Sequence, residues 1–229
     1  MTSRRQRREV VVVDEGDEVD REKDHMIAKT NTIMPIIGKL YCSSSETVLV
    51  VRRRPHVVNG GGFVVMDCSA QRVVFRVDGC GVRGKKGDLI LREGDGDALL
   101  LMRRMGGMVE ALSIYKKWKC YSLDYEGSRK LVFSLREPNS CLVKNNAIRI
   151  FTRNRGRDFK ISGCFPDKCC SIVDSKGNEV AQVGMMKEVE ELIESKDLYH
   201  VVVNPGMDQA FVFGVIAVLD YIYGESTHR

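Results

Sequence analysis

Ten consecutive apolar residues, positions 210–219, lie near the carboxyl end of the chain. The run is shorter than the roughly 20 residues that a membrane-spanning helix needs. Its β-branched residues would suit a strand, but it lacks the alternation of a half-buried strand, and Asp208 precedes it where a helix N-cap belongs. We therefore predict a helix over 208–223, with its cap and its buried side chains at Asp208, Ala210, Phe211, Phe213, Val215, Ile216 and Leu219.

A helix that is apolar on every face must be covered on every side, and the rest of the chain supplies mainly short strands to do so. Apolar residues alternate with polar ones in two segments, which predicts one apolar face made by Val73, Phe75 and Val77 and another made by Leu131, Phe133 and Leu135. Turn signals separate such segments at a spacing of roughly 8–12 residues, which is typical of a sandwich or barrel. Because the strands must surround the helix, we predict a mainly β fold, a closed antiparallel β-barrel around a buried C-terminal helix.

Three segments of the chain share a turn signature in which an aspartate precedes an apolar strand. Asp67, Asp124 and Asp174 each open such a turn. Aspartate is favoured there because its carboxylate accepts hydrogen bonds from backbone N–H groups two residues further on. The similarity fits either an internal repeat or hairpins that are alike for the same physical reason.

The composition changes near the amino end of the chain. Residues 1–24 hold six basic and eight acidic residues and few apolar ones, so we expect a disordered charged tail. We assign 25–44 to a transition segment, 45–223 to the barrel domain and 224–229 to a C-terminal tail. Residues 1–20 lack the apolar stretch of a secretory signal, and the eight cysteines are therefore expected to be reduced thiols of a cytoplasmic or nuclear protein.

Several segments resemble the LURP-one-related family of plant proteins, which belongs to the superfamily of tubby C-terminal-like domains. The resemblance covers residues 45–223 and is most specific at 59–67 and 204–220. The segments that carry it are Glu46–Arg54, Asn59–Asp67, Val74–Asp78, Gly84–Leu91 and Tyr199–Phe211. The resemblance implies a barrel of about twelve strands around a hydrophobic C-terminal helix, as in the tubby C-terminal domain and the phospholipid scramblases.

The same resemblance implies binding without catalysis. Some LURP-one-related proteins are linked to plant defence, and tubby-like relatives bind phosphoinositides. The residues that bind phosphoinositides in tubby match no shared motif in this sequence, so no ligand residue is carried over. The polar segment before Ile27 departs from the apolar, proline-containing leader that is usual in the family.

The strongest functional lead in the sequence is a basic cluster. Arg149, Arg153, Arg155, Arg157 and Lys160 fall within a single stretch around a glycine turn. Such side chains bind phosphate groups through charge-assisted hydrogen bonds, and each gains about 1 kcal/mol beside an anionic leaflet. The net charge of +5 favours anionic partners in the same sense. We predict that these five residues bind an anionic headgroup; solvated decoration of strand ends is the alternative.

Other candidate chemistry in the sequence is weaker. Cys164, Cys169 and Cys170 with His200 would form a zinc set, but adjacent residues of a strand face opposite ways, so both Cys169 and Cys170 could hardly bind one ion. No Gly-x-Ser-x-Gly elbow accompanies the histidines, and no Gly-Lys-Ser/Thr follows Gly60–Gly62. We therefore predict no catalytic residue, no metal and no cofactor.

Three functions are consistent with these observations. The first is a non-catalytic module that binds anionic phospholipid headgroups or a protein partner in plant defence signalling, in the cytoplasm, in the nucleus or at a membrane surface. The second is a protein-interaction scaffold without lipid affinity. The third is a scramblase-like lipid transporter, against which the length of the helix and Asp220 argue. Nucleic acid is a disfavoured partner because no recognition helix is evident.

Overall fold

A computed structural model describes residues 33–54, 61–79, 88–106, 115–124, 126–138, 147–153, 157–185 and 197–224. The predicted tail at 1–24 and all but the first residue of the predicted tail at 224–229 lie outside these ranges.

The described residues form twelve antiparallel strands that close into a barrel. Each strand pairs with the next along the chain, and the twelfth pairs with the first. The strands are β1 (Thr47–Arg53), β2 (Gly62–Asp67), β3 (Arg72–Gly79), β4 (Asp88–Glu93), β5 (Ala98–Arg104), β6 (Tyr115–Leu123), β7 (Arg129–Pro138), β8 (Arg149–Thr152), β9 (Asp158–Cys164), β10 (Cys169–Asp174), β11 (Glu179–Met185) and β12 (Leu198–Val203). The predicted architecture, including the number of strands, is confirmed.

The apolar run forms helix α1 (Gln209–Gly224), which lies inside the barrel. Its side chains reach the inward faces of several strands: the ring of Phe211 lies 5.0 Å from that of Phe133, and the ring of Phe213 lies 5.6 Å from that of Phe75. Every residue from Ala210 to Leu219 is buried, and those other than Gly214 are at most 2% exposed. The predicted buried helix is therefore confirmed. Among the described helices, none is both long and apolar enough to cross a membrane.

The predicted apolar faces are confirmed at Phe75, Val77, Phe133 and Leu135, which are buried, and are wrong at Val73 and Leu131, each of which lies beside a β-bulge. The β2–β3 ladder contains a register shift between the pairs Val65–Phe75 and Met66–Val73. Val73, just beyond this shift, is 42% exposed. The β6–β7 ladder contains another shift, so that Val132 is buried and Leu131 is 40% exposed. A bulge inserts one residue into one strand and thereby reverses the alternation beyond it.

The three predicted aspartate turns are present. The carboxylate of Asp67 accepts hydrogen bonds from the N–H groups of Ser69 and Ala70 at 3.0 and 3.1 Å. Asp124 and Asp174 accept equivalent bonds from the backbone two and four residues further on. These turns join β2 to β3, β6 to β7 and β10 to β11, so they recur after every fourth strand.

The carboxylate of Asp208 joins the helix to the segment that precedes the barrel. It caps α1 through the N–H of Phe211 at 3.1 Å. Its other oxygen accepts hydrogen bonds from the N–H groups of Ile36, Ile37 and Gly38 at 2.9, 2.7 and 3.0 Å. Asp208 is fully buried. A single side chain therefore fixes the segment across the end of the barrel at which α1 begins.

Candidate functional site

A cavity of about 230 Å³, which we call the rim cavity, lies at the end of the barrel where α1 begins. One side is formed by the segment that Asp208 holds, and the other by the adjacent ends of β6, β7 and β8. The lining residues are Ile36, Ile37, Ser122, Lys130, Val132, Thr152, Arg153 and Arg157.

Local hydrogen bonds fix the two arginines beside this cavity. The Thr152 hydroxyl donates to the carbonyl of Arg157 at 2.7 Å, which closes the turn between β8 and β9. The N–H of Arg153 donates to the carbonyl of Val132 at 3.0 Å, which ties the start of that turn to β7. Lys130 lies opposite Ser122 in the β6–β7 ladder, and the Ser122 hydroxyl donates to its carbonyl at 3.3 Å.

The charges of the cavity suit an anionic ligand. Lys130, Arg153 and Arg157 bring three cations to one small space, and none of the described lining residues is acidic. Guanidinium groups bind carboxylates and phosphates through paired, charge-assisted hydrogen bonds. Ligand cavities for drug-sized molecules measure about 300–1,000 Å³, so this one fits a compact anionic group rather than a large ligand.

The five cations predicted from the sequence do not form one cluster. Arg153 and Arg157 line the cavity. Arg149 and Lys160 are exposed and lie directly opposite each other in the β8–β9 ladder, outside the lining of the cavity. Arg155 lies outside the described residues.

The comparison with known proteins gives the family of the chain. A model of the LURP-one-related protein family matches residues 47–220. The chain belongs to the LURP-one-related family. It is similar to Protein LURP-one-related 6 of Arabidopsis thaliana, with 59% identity over 193 residues that make up 84% of this chain and 97% of the relative. Protein LURP-one-related 16 of the same plant is 52% identical over 209 residues, with 86% and 97% coverage.

A solved structure shows the same fold. An X-ray structure of an Arabidopsis thaliana protein aligns with a TM-score of 0.57, covering 82% of this chain and 98% of the other. The two sequences share 18% identity, so this likeness concerns the fold alone.

A row of cations crosses the outer wall of this LURP-one-related barrel. Lys117, Arg136, Arg149 and Lys160 are successive cross-strand partners on β6, β7, β8 and β9. Like charges directly opposite each other destabilise a sheet. No ion pair joins these four to a carboxylate within the described residues, although the guanidinium of Arg136 lies 4.7 Å from the centre of the Phe151 ring. We call this set the wall row.

Sequence reasoning did not assign to these two places five residues that the fold brings there, the hydroxyls of Ser122 and Thr152 and the cations Lys117, Lys130 and Arg136. Lys130 and Ser122 belong to β7 and β6, and both precede the basic cluster by more than a strand. Lys117 and Arg136 join the wall row only through the register of their ladders. No local signal marks any of them, because their association depends on strand pairing.

Two cysteines of the zinc set face opposite ways, as predicted. Cys169 is exposed and Cys170 is buried in the same strand. Cys164 is exposed and is the cross-strand partner of Cys169. Over the described part of the chain, no three potential ligands are grouped closely enough to hold a metal ion.

The last turn of α1 lies beside a buried group of charges. Asp220 pairs with the guanidinium of Arg53 at 3.0 Å, yet burial raises the pKa of its carboxyl. The ammonium of Lys168 lies 3.9 Å from the ring centre of Phe165 and 4.3 Å from that of Tyr199. Burial lowers the pKa of Lys168 to about 8, although the carboxylate of Asp220 opposes this shift. Desolvation therefore outweighs charge pairing at this end of the helix.

Replacing Lys168 by methionine is expected to change how stability depends on pH. In the native protein Lys168 releases its proton near pH 8, whereas the unfolded chain keeps it up to about pH 10.5. Between these values the unfolded state binds more protons, so this lysine makes the free energy of unfolding rise with pH, by about 3 kcal/mol. Below about pH 8 both states keep the proton, so Lys168 no longer makes stability depend on pH. Methionine cannot titrate and should abolish the rise in stability between pH 8 and 10.5.

Urea unfolding of both proteins at the two ends of this window measures the effect. Burial raises the pKa of Cys42 to about 11 and that of Cys170 to about 12, which acts in the opposite direction. Both proteins share the thiol of Cys42, which cancels in the difference between the two pH profiles; Cys170 interacts with the charge of Lys168, so the difference reports Lys168 together with that interaction. Parallel profiles would contradict the assignment.

Proposed function

We propose that this LURP-one-related protein is a non-catalytic binding module that holds the phosphorylated headgroup of an anionic phospholipid in the rim cavity. The observation that carries the proposal is the convergence of Lys130, Arg153 and Arg157 on one cavity without an acidic lining residue among those described. The proposal places the protein in the cytoplasm or nucleus and, when bound, at a membrane surface. Plant defence signalling, which the family resemblance implies, is the process we propose for it.

A phosphoinositide headgroup fits the chemistry of the cavity. Its phosphates carry several acceptor oxygens, which suit the donors of two guanidinium groups and one ammonium group. Ile36, Ile37 and Val132 supply an apolar wall against which the ring of an inositol can pack. The hydroxyls of Ser122 and Thr152 already donate to backbone carbonyls, so they stabilise the strands that line the cavity. The three cations remain to bind the ligand.

Replacing Lys130, Arg153 and Arg157 together by alanine is expected to abolish binding to phosphoinositide vesicles. Three cations near an anionic leaflet contribute about 3 kcal/mol, which corresponds to a loss of affinity on the order of 100-fold. Flotation of the protein with phosphatidylcholine vesicles that contain phosphatidylinositol bisphosphate measures the loss. Vesicles with phosphatidylserine instead test whether phosphate groups, rather than negative charge in general, are required.

The wall row provides a charge-matched control. Replacing Arg136, Arg149 and Lys160 by alanine also removes three cations. They lie six, four and three residues along the chain from Lys130, Arg153 and Arg157, about 20, 13 and 10 Å away. Each distance exceeds the Debye length of about 8 Å at physiological salt, so the control should keep most of the flotation of the native protein. Equal loss in both variants, or equal flotation of the native protein with anionic and neutral vesicles, would contradict the proposal.

The wall row favours a second candidate function, a protein-interaction scaffold without lipid affinity. Four like charges in register, which form no ion pair with a carboxylate among the described residues, cost stability, and an acidic surface of a partner protein would offset that cost. This function predicts that the native protein does not float with any vesicle. It also predicts that partner capture depends on the wall row and not on the cavity.

A further inference from the structure

Two leucines beside the rim cavity are exposed to solvent. Leu40 is 95% exposed, the largest value among the exposed large apolar side chains of the described residues. It follows the cavity-lining Ile37 by three residues, so the two Cα atoms are at most about 11 Å apart. Leu131 is 40% exposed and stands in β7 between Lys130 and Val132, both of which line the cavity.

The backbone holds both leucines in place. Leu40 is the middle residue of a single 3-10 turn, Lys39–Tyr41, which follows directly on the three N–H groups bound by Asp208. The ring of Tyr41 lies 6.1 Å from that of Phe75, and its hydroxyl donates to Glu93. Leu131 is turned outward by the register shift between β6 and β7. The exposed leucines are therefore presented by fixed elements of the fold.

Each of these leucines follows a lysine. Lys39 and Lys130 are both exposed, and Lys130 is one of the three cations of the cavity. An apolar side chain next to a lysine suits the interface of a bilayer, where the leucine reaches the acyl chains and the ammonium group stays among the phosphates. Protein–protein interfaces are depleted in lysine, whereas each of these leucines adjoins an exposed lysine.

We propose that Leu40 and Leu131 insert into the acyl region of the bilayer when the cavity holds a headgroup. This inference rests on the proposed function and specifies how the barrel meets the membrane: the end at which α1 begins faces the lipid. The cations then give selectivity for the headgroup, and the leucines add affinity that does not depend on salt.

Tryptophan substitutions combined with brominated lipids test the insertion. The native Trp118 is fully buried and is therefore shielded from lipid quenchers. Leu40→Trp and Leu131→Trp place a reporter at each proposed contact. Ser162→Trp is the matched control, because Ser162 is exposed near the end of β9 that lies opposite the end at which α1 begins. We expect brominated acyl chains to quench the first two by about twofold and to leave the control unchanged.

A charge substitution supplies a second readout. Leu40→Asp should weaken binding to phosphoinositide vesicles by on the order of tenfold or more without lowering stability, since Leu40 makes little buried contact. If the proteins float but neither tryptophan is quenched, or the Ser162 control is quenched equally, the insertion is refuted and headgroup binding stands. If the native protein does not float, the proposed function itself fails.

Discussion

Replacing Phe213 by aspartate is expected to unfold the protein. Phe213 is fully buried in the second turn of α1, and its ring centre lies 5.6 Å from that of Phe75. Loss of a buried phenylalanine costs about 3–5 kcal/mol, and an unpaired carboxylate in an apolar interior costs several more. Together these approach or exceed the 5–15 kcal/mol by which domains are usually stable. The expected product is insoluble or lacks a cooperative thermal transition by circular dichroism.

The matched control for this substitution is Val48→Asp. Val48 lies in a strand of the same barrel, but its side chain points outward and is 53% exposed. A carboxylate there remains hydrated, so we expect a loss of less than about 1 kcal/mol. A cooperatively folded Phe213→Asp protein with near-native stability would show that the helix is not enclosed by the strands.

Replacing Asp208 by alanine is expected to cost about 4 kcal/mol in the free energy of unfolding, because it leaves buried N–H groups without an acceptor. Four backbone N–H groups donate to this carboxylate, those of Ile36, Ile37, Gly38 and Phe211. The loss should appear in urea unfolding, and the amides of residues 36–38 should exchange faster with solvent. Because Ile36 and Ile37 line the rim cavity, vesicle binding should weaken as well.

Two further substitutions show whether the interior position of this carboxylate matters. Asp208→Asn keeps one acceptor oxygen and should lie between alanine and the native protein. Asp124→Ala removes a carboxylate that also accepts two backbone N–H groups, but in an exposed turn where water can replace it. We expect that control to cost about 1 kcal/mol. Equal effects of Asp124→Ala and Asp208→Ala would contradict the structural role assigned to Asp208.

The helix and its enclosure could be predicted because both follow from local composition. An apolar run of that length after a capping aspartate predicts a helix that is buried on every side. The remaining chain offers mainly strands to cover this helix. The second role of Asp208 could not be predicted in this way. Its bonds to Ile36, Ile37 and Gly38 span about 170 residues, and no pattern in either segment marks the other.

The inward and outward faces were predictable only where the ladders are regular. Val73 and Leu131 follow the alternation of their strands in the sequence, yet both are exposed because a bulge shifts the register. A bulge depends on the paired strand, so one strand alone cannot reveal it. The exposure of Leu131, which carries part of the proposed membrane contact, could not have been found from the sequence.

Only part of the candidate site could be predicted from the sequence, for a similar reason. Arg153 and Arg157 were found because they are close in sequence and share one turn. Lys130 lines the same cavity from β7. Arg149 and Lys160 do not line it, because they lie on the outer wall. Proximity in sequence therefore predicted a single site, whereas the fold separates these residues into the cavity and the wall row.

Native-state hydrogen exchange of the helix amides tests most directly whether α1 is enclosed. If strands surround it, the amides of residues 212–219 can exchange only when the whole barrel opens, and their free energy of exchange should equal the free energy of global unfolding measured in urea. Exchange of these amides at rates typical of a surface helix, well before global unfolding, would contradict the enclosure of α1 by the barrel.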